Sequence, residues 1–100
     1  MSSLKGKTAF VSGGTRGIGL AIAKRLASEG ADIMVAGSSE ANCAAATRAI
    51  TAQSDGRIEA HAADMRTLEG CQAVFDAHSR EFGRCDILIH SAGATRGGVF

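Results

Sequence analysis

The sequence of 100 residues contains no tyrosine, tryptophan or proline, and it has no run of like charges. Its net charge of +1 indicates neither a nucleic acid nor an acidic macromolecule as a partner. No apolar stretch is long enough to cross a bilayer, and the first five residues do not read as a signal peptide. Composition therefore argues against a membrane protein and against a nucleic-acid-binding protein.

The cysteines follow no pairing pattern. Cys43, Cys71 and Cys85 are odd in number and widely spaced, and they form neither a CxxC pair nor a zinc pattern. We expect reduced, partly buried thiols and a cytoplasmic location. An apolar content of 45% excludes disorder and suffices for a packed core, so the chain is one small domain or part of a larger one.

Apolar runs and amphipathic segments alternate along the chain. Strands are predicted at Thr8–Ser12, Asp32–Gly37, residues 57–63 and residues 86–90. Helices are predicted at Gly17–Ser28, residues 40–53 and Leu68–Phe82. Near-continuous apolar strands joined by helices are typical of a parallel sheet covered on both faces. With right-handed crossovers, the sequence predicts an α/β fold with a doubly wound parallel sheet of the Rossmann type.

Two of the predicted helices carry an apolar stripe at helical spacing. In the first helix the stripe is formed by Ile18, Ile22 and Leu26. In the third helix it consists of Leu68, Cys71, Phe75, His78 and Phe82. Because His78 lies on this stripe, a half-buried structural histidine is favoured over a ligand. His61 has no partner in the pattern and is assigned no role.

Residues 12–19 read Ser-Gly-Gly-Thr-Arg-Gly-Ile-Gly and join the first strand to the first helix. Gly13, Gly17 and Gly19 lack Cβ atoms, which permits a tight turn, close approach of a ligand and close helix packing. The helix that follows offers unpaired N–H groups and the positive end of its dipole to a phosphate. This glycine loop (residues 12–19) therefore predicts a site for a nucleotide diphosphate.

The spacing of the glycine loop excludes two other phosphate-binding patterns. A P-loop requires Lys and then Ser or Thr after its last glycine, where this chain has Leu20 and Ala21. The pattern GxGxxG also fails, because three residues separate Gly13 from Gly17. The strand before the loop, the helix after it and a second strand at the correct distance still favour a dinucleotide.

The end of the second strand distinguishes NAD from NADP. NAD-binding proteins usually place a carboxylate there for the ribose 2′-hydroxyl, whereas this chain has Ala36-Gly37-Ser38. A 2′-phosphate needs a cation and hydroxyl donors, which Arg16 and Ser38 can supply. We therefore favour NADP over NAD. Two alternatives stay open: Arg16 as a solvated loop arginine, and Glu40 as a ribose contact.

These residues together resemble the short-chain dehydrogenase/reductase family. Its signature Thr-Gly-x3-Gly-x-Gly is matched by residues 12–19, with serine in place of threonine. The family's adenine-contacting pair after the third strand is matched by residues 64–65, and its Asn-Asn-Ala-Gly segment by residues 90–93. The family phrase Glu-Phe-Gly-x-x-Asp-Ile-Leu stands at residues 81–88. The cofactor contacts that the resemblance implies are Gly13, Gly14, Thr15, Arg16, Gly17, Ile18, Gly19, Ser38, Asp64, Met65, Ser91, Ala92 and Gly93.

One departure from the family's pattern matters for the cofactor. Ser91 stands where the amide of an asparagine ties the fourth strand to its neighbours and helps to frame the cofactor. A serine hydroxyl has a shorter reach than this amide. His90 either compensates with a ring nitrogen or is an ordinary strand-end residue. We therefore expect the nicotinamide side of the site to be less well fixed than the diphosphate side.

Within the family, the sequence resembles the NADPH-dependent 3-oxoacyl-acyl-carrier-protein reductases. This resemblance implies a cytoplasmic oxidoreductase of fatty acid biosynthesis that reduces a carbonyl, as in a 3-oxoacyl thioester, to a secondary alcohol. The substrate is then a small carbonyl or alcohol compound, free or linked to acyl carrier protein. The family also implies a homotetramer or homodimer. The alternative within the family is an NAD-dependent alcohol or sugar dehydrogenase.

The missing tyrosine bears directly on catalysis. The family uses a serine, a Tyr-x3-Lys pair and an asparagine for proton transfer, and these positions would fall after Phe100. The lysines of this chain are Lys5, Lys7 and Lys24, all in its first quarter. We therefore expect no catalytic residue here: residues 1–100 are the N-terminal part of one larger dinucleotide-binding domain, inactive alone. A complete, non-enzymatic dinucleotide-binding module is the alternative.

Overall fold

The computed structural model describes residues 3–52, 54 and 56–91 of the chain. The strands are β1 (Thr8–Ser12), β2 (Asp32–Gly37), β3 (Ile58–Ala62) and β4 (Ile87–His90). The helices are α1 (Gly17–Ser28), α2 (Glu40–Thr51) and α3 (Leu68–Phe82). Every predicted element is present. The bounds agree for β1, β2, α1 and α3, whereas α2, β3 and β4 are slightly shorter than predicted.

The four strands form one parallel sheet in the order β3-β2-β1-β4. At the centre of β1, Phe10 is paired with Met34 of β2 and with Leu88 of β4. The chain proceeds outward from β1 to β3 and then returns to the other side of β1 as β4. This reversal confirms the predicted doubly wound arrangement, and it creates a crevice at the carboxyl ends of β1 and β4.

The core has two layers, one on each face of the sheet. Alternate residues of a strand point to opposite faces, so Ala9 and Val11 pack with α1 and α2, while Phe10 packs with α3. Strand β1 is buried along its whole length, and β2 along all but its first residue. Burial on both faces explains the near-continuous apolar runs, and it fixes the point at which each following loop begins.

The buried face of α1 is formed by small residues rather than by the predicted stripe. These residues are Gly19, Ala23 and Ala27. Ile18, the first residue of the predicted stripe, is 76% exposed. Small side chains let the helix lie close to the sheet, so the large apolar side chains flank the contact instead of forming it.

The predicted stripe of α3 is only partly correct. The buried residues of this helix are Val74, Ala77 and His78. Leu68 and Phe75, two members of the predicted stripe, are exposed. His78 is more deeply buried than expected, and its ring stacks on that of Phe10. This environment agrees with the structural role predicted for the histidine.

Side-chain caps fix where α2 and α3 begin. Ser39 accepts a hydrogen bond at its hydroxyl from the backbone N–H of Asn42. The hydroxyl of Thr67 accepts in the same way from Gly70 and also donates to the carbonyl of Asp64. Thr67 therefore ties the start of α3 to the segment that follows β3.

Thr67→Ala is expected to lower the free energy of unfolding by about 1 kcal/mol, because the first turn of α3 loses its cap. Thr67→Ser keeps the hydroxyl and should retain most of that stability. Urea denaturation of the two variants measures the difference. Equal free energies of unfolding for the alanine and serine variants would show that the cap contributes nothing.

The three cysteines all lie within the described residues and are free thiols. Cys43 is buried, Cys71 is half-buried and Cys85 is exposed, so the expected partial burial applies only to some of them. No helix in the described part of the chain is long and apolar enough to cross a membrane.

Candidate functional site

The glycine loop lies at the carboxyl end of β1, beside the carboxyl end of β4. The backbone N–H of Gly13 donates to the carbonyl of Ala36 at 2.8 Å, which ties the loop to β2 as well. In doubly wound sheets, ligands bind in the crevice at this reversal of strand order. The loop, the end of β2 and the end of β4 therefore border one candidate site.

Backbone conformation and close packing both require glycine in this loop. Gly13 (φ 73°) and Gly17 (φ 57°) adopt the left-handed conformation that other residues rarely take. A Cβ atom on Gly19 would overlap with the carbonyl oxygen of Gly13 and with Oγ of Ser91. The glycine spacing of the sequence therefore corresponds to two turns and to a close contact of α1 with the loop and β4.

The first turn of α1 offers backbone N–H groups that have no partner within the helix. Arg16, the N-cap residue, has an extended backbone, and its side chain makes no capping hydrogen bond within the described structure. The first turn itself, all of it described, carries no acidic residue. An anion at this helix end therefore meets the positive end of the dipole without a competing carboxylate.

The corner between the glycine loop and the end of β2 is closely packed. Thr15 is buried, and a Cβ atom on Gly37 would lie 2.5 Å from its Cγ2 atom. Arg16 and Ser38, the next residues of the two segments, are both exposed. The fold thus places Arg16 and Ser38, predicted from distant parts of the sequence, next to one corner, where both are exposed.

Asp64 follows β3, and its carboxylate is held by Arg66. It accepts hydrogen bonds from the backbone N–H of Arg66 at 3.0 Å and from Nε and Nη2 of the guanidinium at 3.0 and 3.2 Å. The Arg66 side chain is the main cause that keeps the pKa of Asp64 below its usual value. Met65 packs against the core layer on the α3 face. The backbone N–H of Ala63 donates to the carbonyl of Gly37 at 2.9 Å, so Asp64 and Met65 follow a residue that is tied to the end of β2.

Ser91 closes the site on the β4 side. Its backbone N–H and its hydroxyl both donate to the carbonyl of Ser12 at 3.0 Å, and the hydroxyl also reaches the carbonyl of Gly13 at 3.5 Å. Nδ1 of His90 lies 2.7 Å from Oγ of Ser12, so the histidine contributes a ring nitrogen. Both side chains are therefore tied to the end of β1, while the expectation that the nicotinamide side is less well fixed than the diphosphate side stays a prediction.

Three further residues bear on the site predicted from the sequence. Ala92 and Gly93 lie outside the described residues. Ser12 was not predicted as a site residue, although its hydroxyl and carbonyl both anchor β4. The pairing of the strands could have indicated this role, because Ser12 at the end of β1 is paired with His90 at the end of β4.

An open cavity of about 710 Å³ lies at the opposite end of the sheet. Its lining includes Gly6, Gly30 and Gly56, each of which precedes a strand, and the last residues of α1 and α2. Helix C-termini present the negative end of the dipole, which disfavours a phosphate. Nor do any three His, Cys, Asp or Glu side chains of the described residues group as a metal site. The glycine-loop end remains the candidate site.

The parallel sheet is wound in both directions from β1, and a glycine turn leads from β1 into α1. These two features define the class of Rossmann-like α/β domains. The family model for short chain dehydrogenases matches residues 7–100. The chain belongs to this family.

Relatives of known name cover almost all of the chain. D-beta-hydroxybutyrate dehydrogenase of Cupriavidus necator is 43% identical over 90 residues, which are 90% of this chain and 34% of that protein. The 3-oxoacyl-acyl-carrier-protein reductase of Aquifex aeolicus is 37% identical over 99 residues, 97% of this chain and 39% of that protein. L-sorbose reductase from Gluconobacter frateurii, solved with NADPH and L-sorbose, matches with a TM-score of 0.87 and 36% identity. That match covers 93% of this chain and 36% of the reductase, so the chain spans little more than a third of the length of these relatives.

Proposed function

We propose that the protein is an NADP-dependent oxidoreductase that reduces a carbonyl group to a secondary alcohol. The observation that carries the proposal is the corner at Thr15 and Gly37, where Arg16 and Ser38 are exposed and residues 36–38 contain no carboxylate. A 2′-phosphate requires a cation and hydroxyl donors, and a carboxylate would repel it. The NADPH complex of L-sorbose reductase supports the same cofactor.

The proposal assigns the residues of the crevice to the parts of such a dinucleotide. The residues proposed for the diphosphate are Gly13, Gly14, Thr15, Arg16, Gly17, Ile18 and Gly19. The close approach of α1 to the loop, which the missing Cβ of Gly19 permits, and the acid-free first turn of α1 suit this group. Asp64 and Met65 contact the adenine in this proposal, and residues 91–93 frame the nicotinamide side. The cofactor supplies a hydride when bound, and the residues of this chain bind and orient it.

We further propose that residues 1–100 form the N-terminal part of a single dinucleotide-binding domain. The chain covers little more than a third of the length of each relative, which supports this proposal. The chain has no tyrosine, so in this proposal the catalytic serine, tyrosine and lysine lie beyond Phe100, and the 100 residues alone are inactive. The whole protein then acts in the cytoplasm as a homotetramer or homodimer.

The proposed substrate is a 3-oxoacyl thioester or a similar carbonyl compound, free or linked to acyl carrier protein. The similarity of nearly the whole chain to the Aquifex aeolicus reductase supports this class. The alternative is an NAD-dependent alcohol or sugar dehydrogenase, and the higher identity to D-beta-hydroxybutyrate dehydrogenase supports a dehydrogenase rather than a reductase.

Cofactor absorbance in assays of the full-length protein separates these functions. Faster oxidation of NADPH with a 3-oxoacyl thioester than with free sugars supports the proposal. Oxidation of a hydroxy acid or sugar with NAD⁺, together with no oxidation of NADPH by the 3-oxoacyl thioester, would replace it by the alternative. Tight cofactor binding without turnover of any of these compounds would instead indicate a non-enzymatic module.

Arg16→Ala is expected to raise the Kd for NADPH about tenfold, because the 2′-phosphate loses a charge-assisted hydrogen bond. The Kd for NADH should stay nearly unchanged, since NADH lacks that phosphate. Isothermal titration calorimetry of the full-length protein with both cofactors measures the ratio of the two dissociation constants.

Arg48→Ala is the matched control, because it removes the same charge from an exposed position in the last turn of α2. It should leave both dissociation constants unchanged. Glu40 lies in the first turn of α2, where the helix dipole gives its carboxylate a structural reason to be present. Loss of the NADPH preference in Glu40→Ala, but not in Arg16→Ala, would contradict the assignment of Arg16.

A further inference from the structure

We propose that His90 and Ser12 form a positioning pair that fixes the start of the glycine loop against β4 and thereby supports the nicotinamide half of the cofactor. The inference depends on the proposed NADP site. It gives a function to His90, which stands where the family pattern has an asparagine, and to the hydroxyl of Ser12.

The contact between the two side chains is short and direct. Nδ1 of His90 lies 2.7 Å from Oγ of Ser12, within the range of a well-formed hydrogen bond. The two residues are partners in the register of β1 and β4, so the sheet itself holds them side by side. Ser12 is 2% exposed, and a buried hydroxyl that loses its partner destabilises the arrangement around it.

Neighbouring hydrogen bonds concentrate on the same point of β1. The backbone N–H and hydroxyl of Ser91 both donate to the carbonyl of Ser12. His90, the last residue of β4, and Ser91, which follows it, therefore hold the hydroxyl and the carbonyl of a single residue of β1. The next residue, Gly13, begins the turn of the glycine loop with a left-handed backbone. A shift of Ser12 would be passed directly to the first N–H groups of that loop.

The position of the pair predicts which part of the cofactor depends on it. Asp64 and the Arg16–Ser38 corner lie toward β2 and β3, where the adenosine half binds in a doubly wound sheet. The His90–Ser12 pair lies on the other side of the reversal, toward β4. Its loss should weaken binding of the whole dinucleotide and spare a fragment that consists of the adenosine half alone.

The test compares NADP⁺ with adenosine 2′-monophosphate, which contains the adenosine and the 2′-phosphate but neither the 5′-phosphate that would bind the glycine loop nor the nicotinamide. In the full-length protein, Ser12→Ala and His90→Ala are each expected to raise the Kd for NADP⁺ about fivefold, the effect of one hydrogen bond. The Kd for the monophosphate should stay nearly unchanged. The double variant should bind NADP⁺ no more weakly than either single variant, because both changes remove the same bond.

His90→Asn is the conservative control. The amide of asparagine places a polar atom at the same distance from Cβ as Nδ1 of histidine, so it should restore most of the NADP⁺ affinity. Failure of asparagine to rescue binding, or additive losses in the double variant, would overturn the pairing.

Three further outcomes separate this inference from a purely structural role and from the proposed function. Equal losses for both ligands, together with a lower Tm, would show that the pair only stabilises the fold and would overturn the positioning role. Unchanged NADP⁺ binding in the single variants would overturn the pairing alone. Absence of binding of either ligand to the unmodified protein would overturn the proposed function, and the pairing with it.

Discussion

Replacing Gly19 with alanine is expected to weaken NADP⁺ binding by about a hundredfold. The added Cβ atom would overlap with the carbonyl oxygen of Gly13 and with Oγ of Ser91. The first of these is backbone, and the second is held by its own hydrogen bond to the carbonyl of Ser12, so neither can move aside freely. Either α1 or the glycine loop must shift, and both supply the N–H groups proposed for the diphosphate.

Ala21→Ser is the matched control for this variant. It adds one heavy atom at an exposed position near the start of the same helix and should leave the Kd for NADP⁺ unchanged. Isothermal titration calorimetry of the full-length variants provides both values. Parental affinity in Gly19→Ala would contradict the placement of the diphosphate on this loop.

Phe10→Ala is expected to lower the free energy of unfolding by about 3–5 kcal/mol, the usual cost of removing a buried phenyl ring. Phe10 is fully buried at the centre of β1. Its ring centroid lies 5.0 Å from that of Phe75 and 5.7 Å from that of His78. Because β2 and β4 hold β1 on both sides, the backbone cannot close the cavity that the substitution leaves.

Phe75→Ala removes the other ring of the same aromatic pair and is the control for this prediction. Phe75 is 42% exposed, so its truncation leaves a smaller cavity and should have a clearly smaller effect. Urea denaturation of the full-length protein, at one protein concentration, measures both effects. Equal losses for the two variants would contradict the two-layer description of the core.

Much of the fold could be predicted from the alternation of apolar runs and glycine breaks. Strands β1 and β2 are buried on both faces, so every residue in them is small or apolar apart from those at the ends. The face of each helix was harder to predict. In α1 the contact is made by Gly19 and two alanines, which hydropathy ranks below the larger residues beside them. A helix that lies close to a sheet needs small side chains at the contact. A search for large apolar residues at helical spacing does not find them.

The candidate site could also be predicted only in part from the sequence. The glycine loop could be predicted because its turn, its spacing and its helix are all local in sequence. The contacts made by Ser12 could not be predicted from the motif alone. They join residues 78 and 79 positions apart, and they exist only because β4 returns to the side of β1 away from β2.

Hydrogen–deuterium exchange of the full-length protein, with and without NADP⁺, tests the central claim most directly. A dinucleotide on the glycine loop should slow amide exchange in residues 13–19 and around Ser38, where phosphates would take up the free N–H groups. The segments that line the cavity at the opposite end, around Gly30 and Gly56, should exchange as before. Protection of those segments, with none in residues 13–19, would contradict the account.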